Sequence, residues 1–165
     1  MSGWPWRDVD LAWTAGFIEG EGTIQMYIRY RSQTDMWYPE PRIQANNTEK
    51  PLIILLHKMF GGSICLGTKK GKRIGKYVSK KDCWRWQVSN LQAYHVAKAL
   101  IPFLRGHFKK AAEVIIEYYE KRPERIKSTG GIFLYDLDRR KYNKEFAERQ
   151  GVVGKFINIE RRWEP

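Results

Sequence analysis

Two carboxylates separated by a single glycine, Glu19 and Glu21, close a run of small and aliphatic residues from Thr14 to Gly22, TAGFIEGEG. A glutamate just beyond a helix end meets the negative partial charge of the last carbonyls and is comfortable there only when a cation joins it. The natural cation is a divalent metal such as Mg²⁺, which one or two carboxylates hold while water and phosphate oxygens complete its shell. Positions i and i+2 do not share a helix face, so Glu19 need not be a second ligand. It is left with capping a seam between helices or lending a backbone carbonyl. Gly16 and Gly20 stand four apart on one face, which lets two such helices approach closely. Gly20 also serves as a helix terminator. A mid-helix glycine costs about 1 kcal/mol against alanine, so Gly16 requires a packing reason.

These groups need a helix to carry them and a sheet to hold it. Residues 8–20 place Leu11, Ala15 and Ile18 at helical spacing behind Asp8 or Asp10 as N-cap. From Thr23 to Arg31 the pattern alternates strictly, with Ile24, Met26, Ile28 and Tyr30 on one face and Gln25, Tyr27, Arg29 and Arg31 on the other. A Ser-Gln-Thr-Asp turn leads to a second strand, 37–46, antiparallel to the first, where Tyr38, Glu40, Arg42, Gln44 and Asn46 share a face. Asn47 or Thr48 caps a second helix with Pro51 in its first turn and Leu52, Ile53, Leu55, Leu56, Met59 and Phe60 on its buried side, ended by Gly61 and Gly62. Strands at 63–68 and 82–89 follow, separated by a basic, glycine-interrupted segment that reads as a mobile loop or an extended ribbon. In the latter strand Trp84, Trp86 and Val88 face the core, and Cys83, Arg85 and Gln87 the other side. Ser89 with Gln92 forms a capping box for a third helix running to Leu104 and bent or divided at Pro102; a fourth spans 107–121 with Ala111, Val114, Ile115 and Tyr118 inward. STGG at 128–131 reads as a loop, and about 136–150 as a further helix. The order α-β-β-α-β-β-α-α, with four strands that each carry one polar face, predicts an α+β domain with a curved antiparallel four-stranded sheet.

A chain of 165 residues with 42% hydrophobic content supports one domain, 1–165, with a core at about 8–120 and a helical extension at about 121–165. Thirty Lys and Arg against 18 acidic residues give a net charge of +12, which points to nucleic acid as partner. No apolar run reaches bilayer length and the cations follow strands and loops, so no membrane partner is expected. Cys65 and Cys83 are too few for a disulfide scaffold and read as plain sheet residues. The amino terminus lacks the charged start and apolar stretch of a secretory signal, and an intracellular location is expected.

TAGFIEGEG, followed at once by an alternating basic strand, closely resembles the LAGLIDADG motif of homing endonucleases, with Glu in place of both Asp residues. One motif per chain resembles the homodimeric type, whose α-β-β-α-β-β-α core matches roughly residues 8–120. The resemblance implies a homodimer that hydrolyses both strands of a long pseudo-palindromic duplex across the minor groove, leaving short 3′ overhangs, with an intron or intein as its genetic setting. It puts Glu21 and Gly20 at the metal, Mg²⁺ with Mn²⁺ or Ca²⁺ able to replace it in binding, and Thr14, Gly16, Phe17 and Gly20 at the dimer interface. Asn47, at the end of the second strand, takes the place of a polar side chain that orders water near the metals. The lysine that relatives carry after a Pro-Phe-Leu-like segment is replaced in register by His107 in PFLRGHFKKA, with Lys109 next in line and Arg105 and Lys110 nearby. The position where some relatives have a second basic residue is Pro51.

On the polar faces, Gln25, Tyr27, Arg29, Arg31, Tyr38, Glu40, Arg42, Gln44, Arg85 and Gln87 are residue types that read major-groove edges, Arg favouring guanine and Gln adenine. Lys69, Lys70, Lys72 and Arg73, together with Lys76, Lys80 and Lys81, suit the phosphate backbone. Two alternatives share the fold: an intron RNA maturase, since a basic sheet does not by itself distinguish DNA from RNA, and a non-catalytic DNA-binding regulator. Glu21 speaks against the second and the His107 substitution for it.

Overall fold

A computed structural model describes residues 5–123 and 134–151; the loop expected at 128–131 lies outside them. The elements are α1 (Asp8–Glu21), β1 (Gly22–Arg31), β2 (Met36–Asn47), α2 (Lys50–Phe60), β3 (Ser63–Thr68), β4 (Arg73–Ile74), β5 (Tyr77–Val78), β6 (Cys83–Ser89), α3 (Asn90–Leu100), α4 (Gly106–Lys121) and α5 (Leu134–Arg149). The expected α+β order holds, with one addition: the basic segment between β3 and β6 folds into a small β4–β5 hairpin. The main sheet has four antiparallel strands in the order β1-β2-β6-β3. The described residues form two compact units, drawn from residues 1–25 with 41–116 and from 26–40 with 117–165, and the chain passes between them within β1, β2 and α4.

In the first unit the core is built from Leu11 and Ile18 of α1, Ile43 and Ala45 of β2, Ile53 and Leu56 of α2, Trp86 and Val88 of β6, and Val96 and Leu100 of α3, none more than 1% exposed. The strand residues are every second one, as a sheet with one covered face requires. Burying Trp86 is tolerated because its indole N–H donates to the Gly61 carbonyl at 2.8 Å. That carbonyl and the Phe60 carbonyl, which accepts from Gln92 Nε2 at 2.6 Å, belong to the end of α2, where backbone acceptors lack helical partners. Gly61 and Gly62 turn the chain out of α2 at φ 69° and 84°.

The helix starts differ from the sequence expectation. Arg7, not Asp8 or Asp10, occupies the N-cap position of α1, and Asp10 is drawn instead into an ion pair with the Arg7 guanidinium at 3.0 Å. Glu49 precedes α2 rather than Asn47 or Thr48. Ser89 precedes α3 as expected but makes no side-chain cap bond. Its box partner Gln92 is committed to Phe60, and Asn90 opens the helix at φ 53°. α3 stops at Leu100 rather than Leu104, because Pro102 has no N–H to continue it. Leu55 is 40% exposed rather than buried, and in α4 it is Ala112 rather than Ala111 that is buried.

The second unit closes around Ile28, Tyr118 and Phe146, all buried, the two rings of α4 and α5 lying 4.9 Å apart. Asn143, only 4% exposed, accepts from the Tyr118 hydroxyl at 3.1 Å and donates to the Trp37 carbonyl at 2.8 Å, so one amide joins α4, α5 and the start of β2. Burial raises the Tyr118 pKa, which keeps the phenol in its donating form. Asn143→Ala removes one hydrogen-bond partner from the buried Tyr118 hydroxyl and the amide donor to the Trp37 carbonyl, and is expected to lower unfolding free energy by about 1–3 kcal/mol, measured by urea denaturation.

Candidate nucleic-acid and metal site

α1 runs through Glu21, one residue beyond the expectation, so this carboxylate belongs to the last turn itself. The turn holds no basic residue. Glu21 is exposed and makes no hydrogen bond or ion pair with any described residue. Its neighbour is treated differently: Glu19 Oε1 accepts the backbone N–H of Arg105 at 2.6 Å, immediately ahead of α4. There it meets the positive end of a helix whose own first turn has no acid. Of the two acids that close α1, Glu19 has a hydrogen-bond partner in the fold and Glu21 has none among the described residues.

Gly22 explains how the tip of α1 meets the sheet. A Cβ at this position would stand 2.5 Å from the Gln44 carbonyl oxygen and 3.0 Å from that of Ile18. Its φ of −133° is open to any residue, so the requirement is space for the β2 backbone rather than conformational freedom. Gly22→Ala is expected to lower the melting temperature by several degrees, equivalent to about 1–3 kcal/mol of strain, whereas alanine at Gly20 should not. The tip of α1 is thus fastened through Gly22 to β2, which carries Asn47, and through Glu19 to the turn ahead of α4, which carries His107 and Lys109. Asn47 Oδ1 accepts the Glu49 N–H at 2.8 Å, securing the turn into α2 and leaving its Nδ2. His107 and Lys109 are both exposed in the first turn of α4. Among the described residues no three His, Cys, Asp or Glu side chains gather into a closed metal centre.

The outer face of α1 carries Ala12, Trp13, Gly16, Phe17 and Gly20, with the Trp13 and Phe17 rings stacked at 5.2 Å. Built Cβ atoms at Gly16 and Gly20 meet nothing within 4 Å, so no packing among the described residues accounts for either glycine. Thr14, expected on this face, is fully buried on the other, its hydroxyl donating to the Asp10 carbonyl at 2.8 Å.

Of the residues expected on polar strand faces, the first unit holds Gln25, Arg42, Gln44, Arg85 and Gln87. β2 and β6 pair so that Gln44 faces Gln87 and Asn46 faces Arg85. Asn46 Oδ1 accepts Arg85 Nε at 2.9 Å, which orients the guanidinium and leaves its terminal nitrogens without a partner among the described residues. Lys69, Lys70, Lys72 and Arg73 are exposed around the β4–β5 hairpin. In the second unit Arg29 is paired with Glu40 at 2.8 Å and Arg31 lies over the Tyr38 ring at 4.8 Å, with Tyr27 half-buried nearby in sequence.

Sequence reading missed the Glu19–Arg105 and Asn46–Arg85 links, because each joins residues far apart in the chain. The β4–β5 hairpin replaces the expected mobile loop or extended ribbon, although a local signal for it exists: Arg-Ile-Gly-Lys-Tyr-Val is two short β-prone pairs around a two-residue turn with glycine first.

No family model matches the sequence, and no curated protein matches it. Solved structures do. The chain is similar to the homing endonuclease I-CvuI in complex with its target, with a TM-score of 0.54 and 14% identity over 88% of this chain and 96% of that one. It is similar to the archaeal intron-encoded homing endonuclease I-Vdi141I complexed with DNA, with a TM-score of 0.50 and 12% identity over 86% and 98%. The LAGLIDADG homing endonuclease I-GzeII, in complex with a DNA target, is matched with a TM-score of 0.55 and 15% identity over 92% of this chain and 47% of that one, so this chain spans about half its length. With α1, its GEG terminus and the β1-β2-β6-β3 sheet in place, the chain has the LAGLIDADG homing-endonuclease fold.

Proposed function

We propose that the protein is a site-specific homing endonuclease that works as a homodimer, two copies meeting along α1 and cutting both strands of a long, pseudo-palindromic duplex across the minor groove. The observation that carries this reading is Glu21: an exposed, unpartnered carboxylate at the negative end of a helix, beside a glycine stripe that no packing within the described chain explains. The similar structures support the partner, since I-CvuI and I-GzeII are each described in complex with a DNA target, and I-CvuI in the presence of Ca or of Mg.

The residues fit a hard divalent cation, Mg²⁺ foremost with Mn²⁺ or Ca²⁺ able to replace it in binding. Glu21 and the Gly20 carbonyl offer oxygen donors only, and the absence of a closed cluster among the described residues suits a site shared with a second copy and with phosphate oxygens. When bound, such an ion polarises the scissile phosphate and lowers the pKa of the attacking water. Asn47 Nδ2 orients water at the end of β2. His107 donates a hydrogen bond to a phosphate oxygen, with the Lys109 ammonium in the same turn. No helix among the described residues is long and apolar enough to cross a membrane.

Sequence recognition rests on the polar strand faces of each unit, with Arg85 best prepared. Its Nε is held by Asn46, so its terminal edge is presented for the bidentate pairing that guanine accepts. In a site selection from randomised duplexes, Arg85→Ala should erase a guanine preference at one position of each half-site, worth about 1–3 kcal/mol, and Asn46→Ala should weaken the same preference while leaving other positions intact.

The test of the function is incubation with a randomised duplex library in Mg²⁺, with an EDTA control, followed by sequencing of the ends. Metal-dependent cuts within one long, roughly two-fold-symmetric site are expected. Binding without cleavage in every divalent metal would instead indicate the maturase or the regulator.

A further inference from the structure

The β4–β5 hairpin exposes apolar residues where a solvated ribbon has no use for them: Ile74 is 54% exposed, Tyr77 59% and Val78 47%. Ile74 pairs with Tyr77, so the two share one face, while Arg73 and Val78 share the other. Between them Gly75 sits at φ 60° at the first position of a two-residue turn, a geometry whose twist suits paired strands. Two residue pairs do not hold a hairpin alone. The base of this one is clamped instead: Gly71 N–H donates to the Ser79 carbonyl at 2.8 Å and Ser79 N–H to the Lys72 carbonyl at 3.0 Å. Ser79 Oγ, in a residue only 9% exposed, donates to the Lys81 carbonyl at 2.7 Å, and Lys70 N–H donates to Asp82 at 2.7 Å. That Asp is the one acid among residues 69–82, against seven Lys and Arg.

An apolar pair on a clamped ribbon with such an excess of positive charge calls for a polyanion that also presents apolar surface. Duplex DNA does so in the major groove, which is wide enough for a two-stranded ribbon and displays a methyl group on every thymine. We propose that the Ile74–Tyr77 face of this hairpin is a specificity element that enters the major groove and packs on thymine methyls, while Lys72, Arg73 and Lys76 hold the phosphates on either side. This rests on the DNA reading above and adds what that reading lacks, namely base discrimination by a segment whose charges alone would bind any sequence.

The test begins with a duplex selected by the wild-type protein from a randomised pool in Ca²⁺. Each thymine is then replaced in turn by uracil, which pairs identically and lacks only the methyl. At one or two positions in each half-site the replacement should weaken wild-type binding by about fourfold, the value of one buried methyl-sized group. For Ile74→Ser/Tyr77→Ser those positions should become indifferent to uracil while the rest of the site is read as before. Both residues are exposed, so the variant should melt as the wild type does; Ile74→Ala/Tyr77→Ala repeats the measurement should it not. Uracil tolerated everywhere by the wild type, or equal sensitivity in the variants, overturns the inference while leaving the endonuclease standing. A pool that yields no selected duplex removes the DNA reading and this inference together. Binding of the wild type, but not the variants, to phosphatidylserine vesicles with no uracil effect would assign the face to a lipid surface instead.

Discussion

Replacing Glu21 by glutamine is expected to slow strand cleavage by at least about a hundredfold in Mg²⁺ while DNA binding measured in Ca²⁺ stays within about tenfold of wild type. The asymmetry follows from where the side chain stands. Glu21 is exposed and bonds to nothing described in the chain, so its amide replaces it without disturbing any packing. What is lost is one negative charge at the tip of α1, where the helix carbonyls already repel it and only a cation compensates. The uncomplexed chain should therefore be as stable as the wild type in EDTA, or slightly more so, because an unfavourable charge has been removed. Single-turnover cleavage of the selected site and a thermal melt in EDTA check both halves. Wild-type cleavage by the variant would exclude Glu21 as a metal ligand; a collapse in melting temperature would give it a structural role.

Gly16→Leu is expected to convert the protein from dimer to monomer and to remove double-strand cleavage with it. Gly16 is exposed and a Cβ there meets nothing within 4 Å, so within one chain a side chain can extend into solvent and the glycine penalty of about 1 kcal/mol in a helix interior is removed. A second α1 lying across the stripe has no such room, because close approach of two helices depends on bare backbone at the crossing. Trp13 and Phe17 flank the glycines and would be covered in the dimer, a burial worth about 1.5–3 kcal/mol for a large apolar side chain. Sedimentation at micromolar concentration should show the wild type as a dimer and the variant as a well-folded monomer. Since α1 of each chain offers one unpartnered carboxylate at its tip, Glu21, the monomer should fail to break both strands even where it still binds a half-site. A dimeric, active Gly16→Leu protein would place the interface elsewhere and leave the glycine unexplained.

The two predictions draw on features of different legibility. TAGFIEGEG is contiguous, and the strict alternation that follows it assigns β1 and its faces because strand side chains repeat every second residue. The same local rules located the basic hairpin segment, the wholly buried Trp86 and Val88, and helices α2, α4 and α5 to within a few residues. They failed at helix starts, where Asp10, Asn47 and Gln92 each had a tertiary or neighbouring partner competing for the side chain that propensity assigns to capping. They failed also for Thr14, whose place in the motif implies the seam but whose hydroxyl bonds to its own helix on the buried side.

By itself the sequence determined the class of the fold, the acidic tip of α1, the bare glycine stripe and the excess of positive charge on the strands, because periodicity, residue type and net charge are local or additive properties. Only the tertiary structure decided which of the two acids is free. Glu19 is consumed by an N–H 86 residues away, at Arg105, while Glu21 is left exposed. It likewise decided that Asn46 orients Arg85 across paired strands, and that the Gly22 position must be bare because the Gln44 carbonyl lies against it. Each of these depends on register and on close approach between segments distant in the chain, and no pattern of neighbouring residues encodes the distance between such segments.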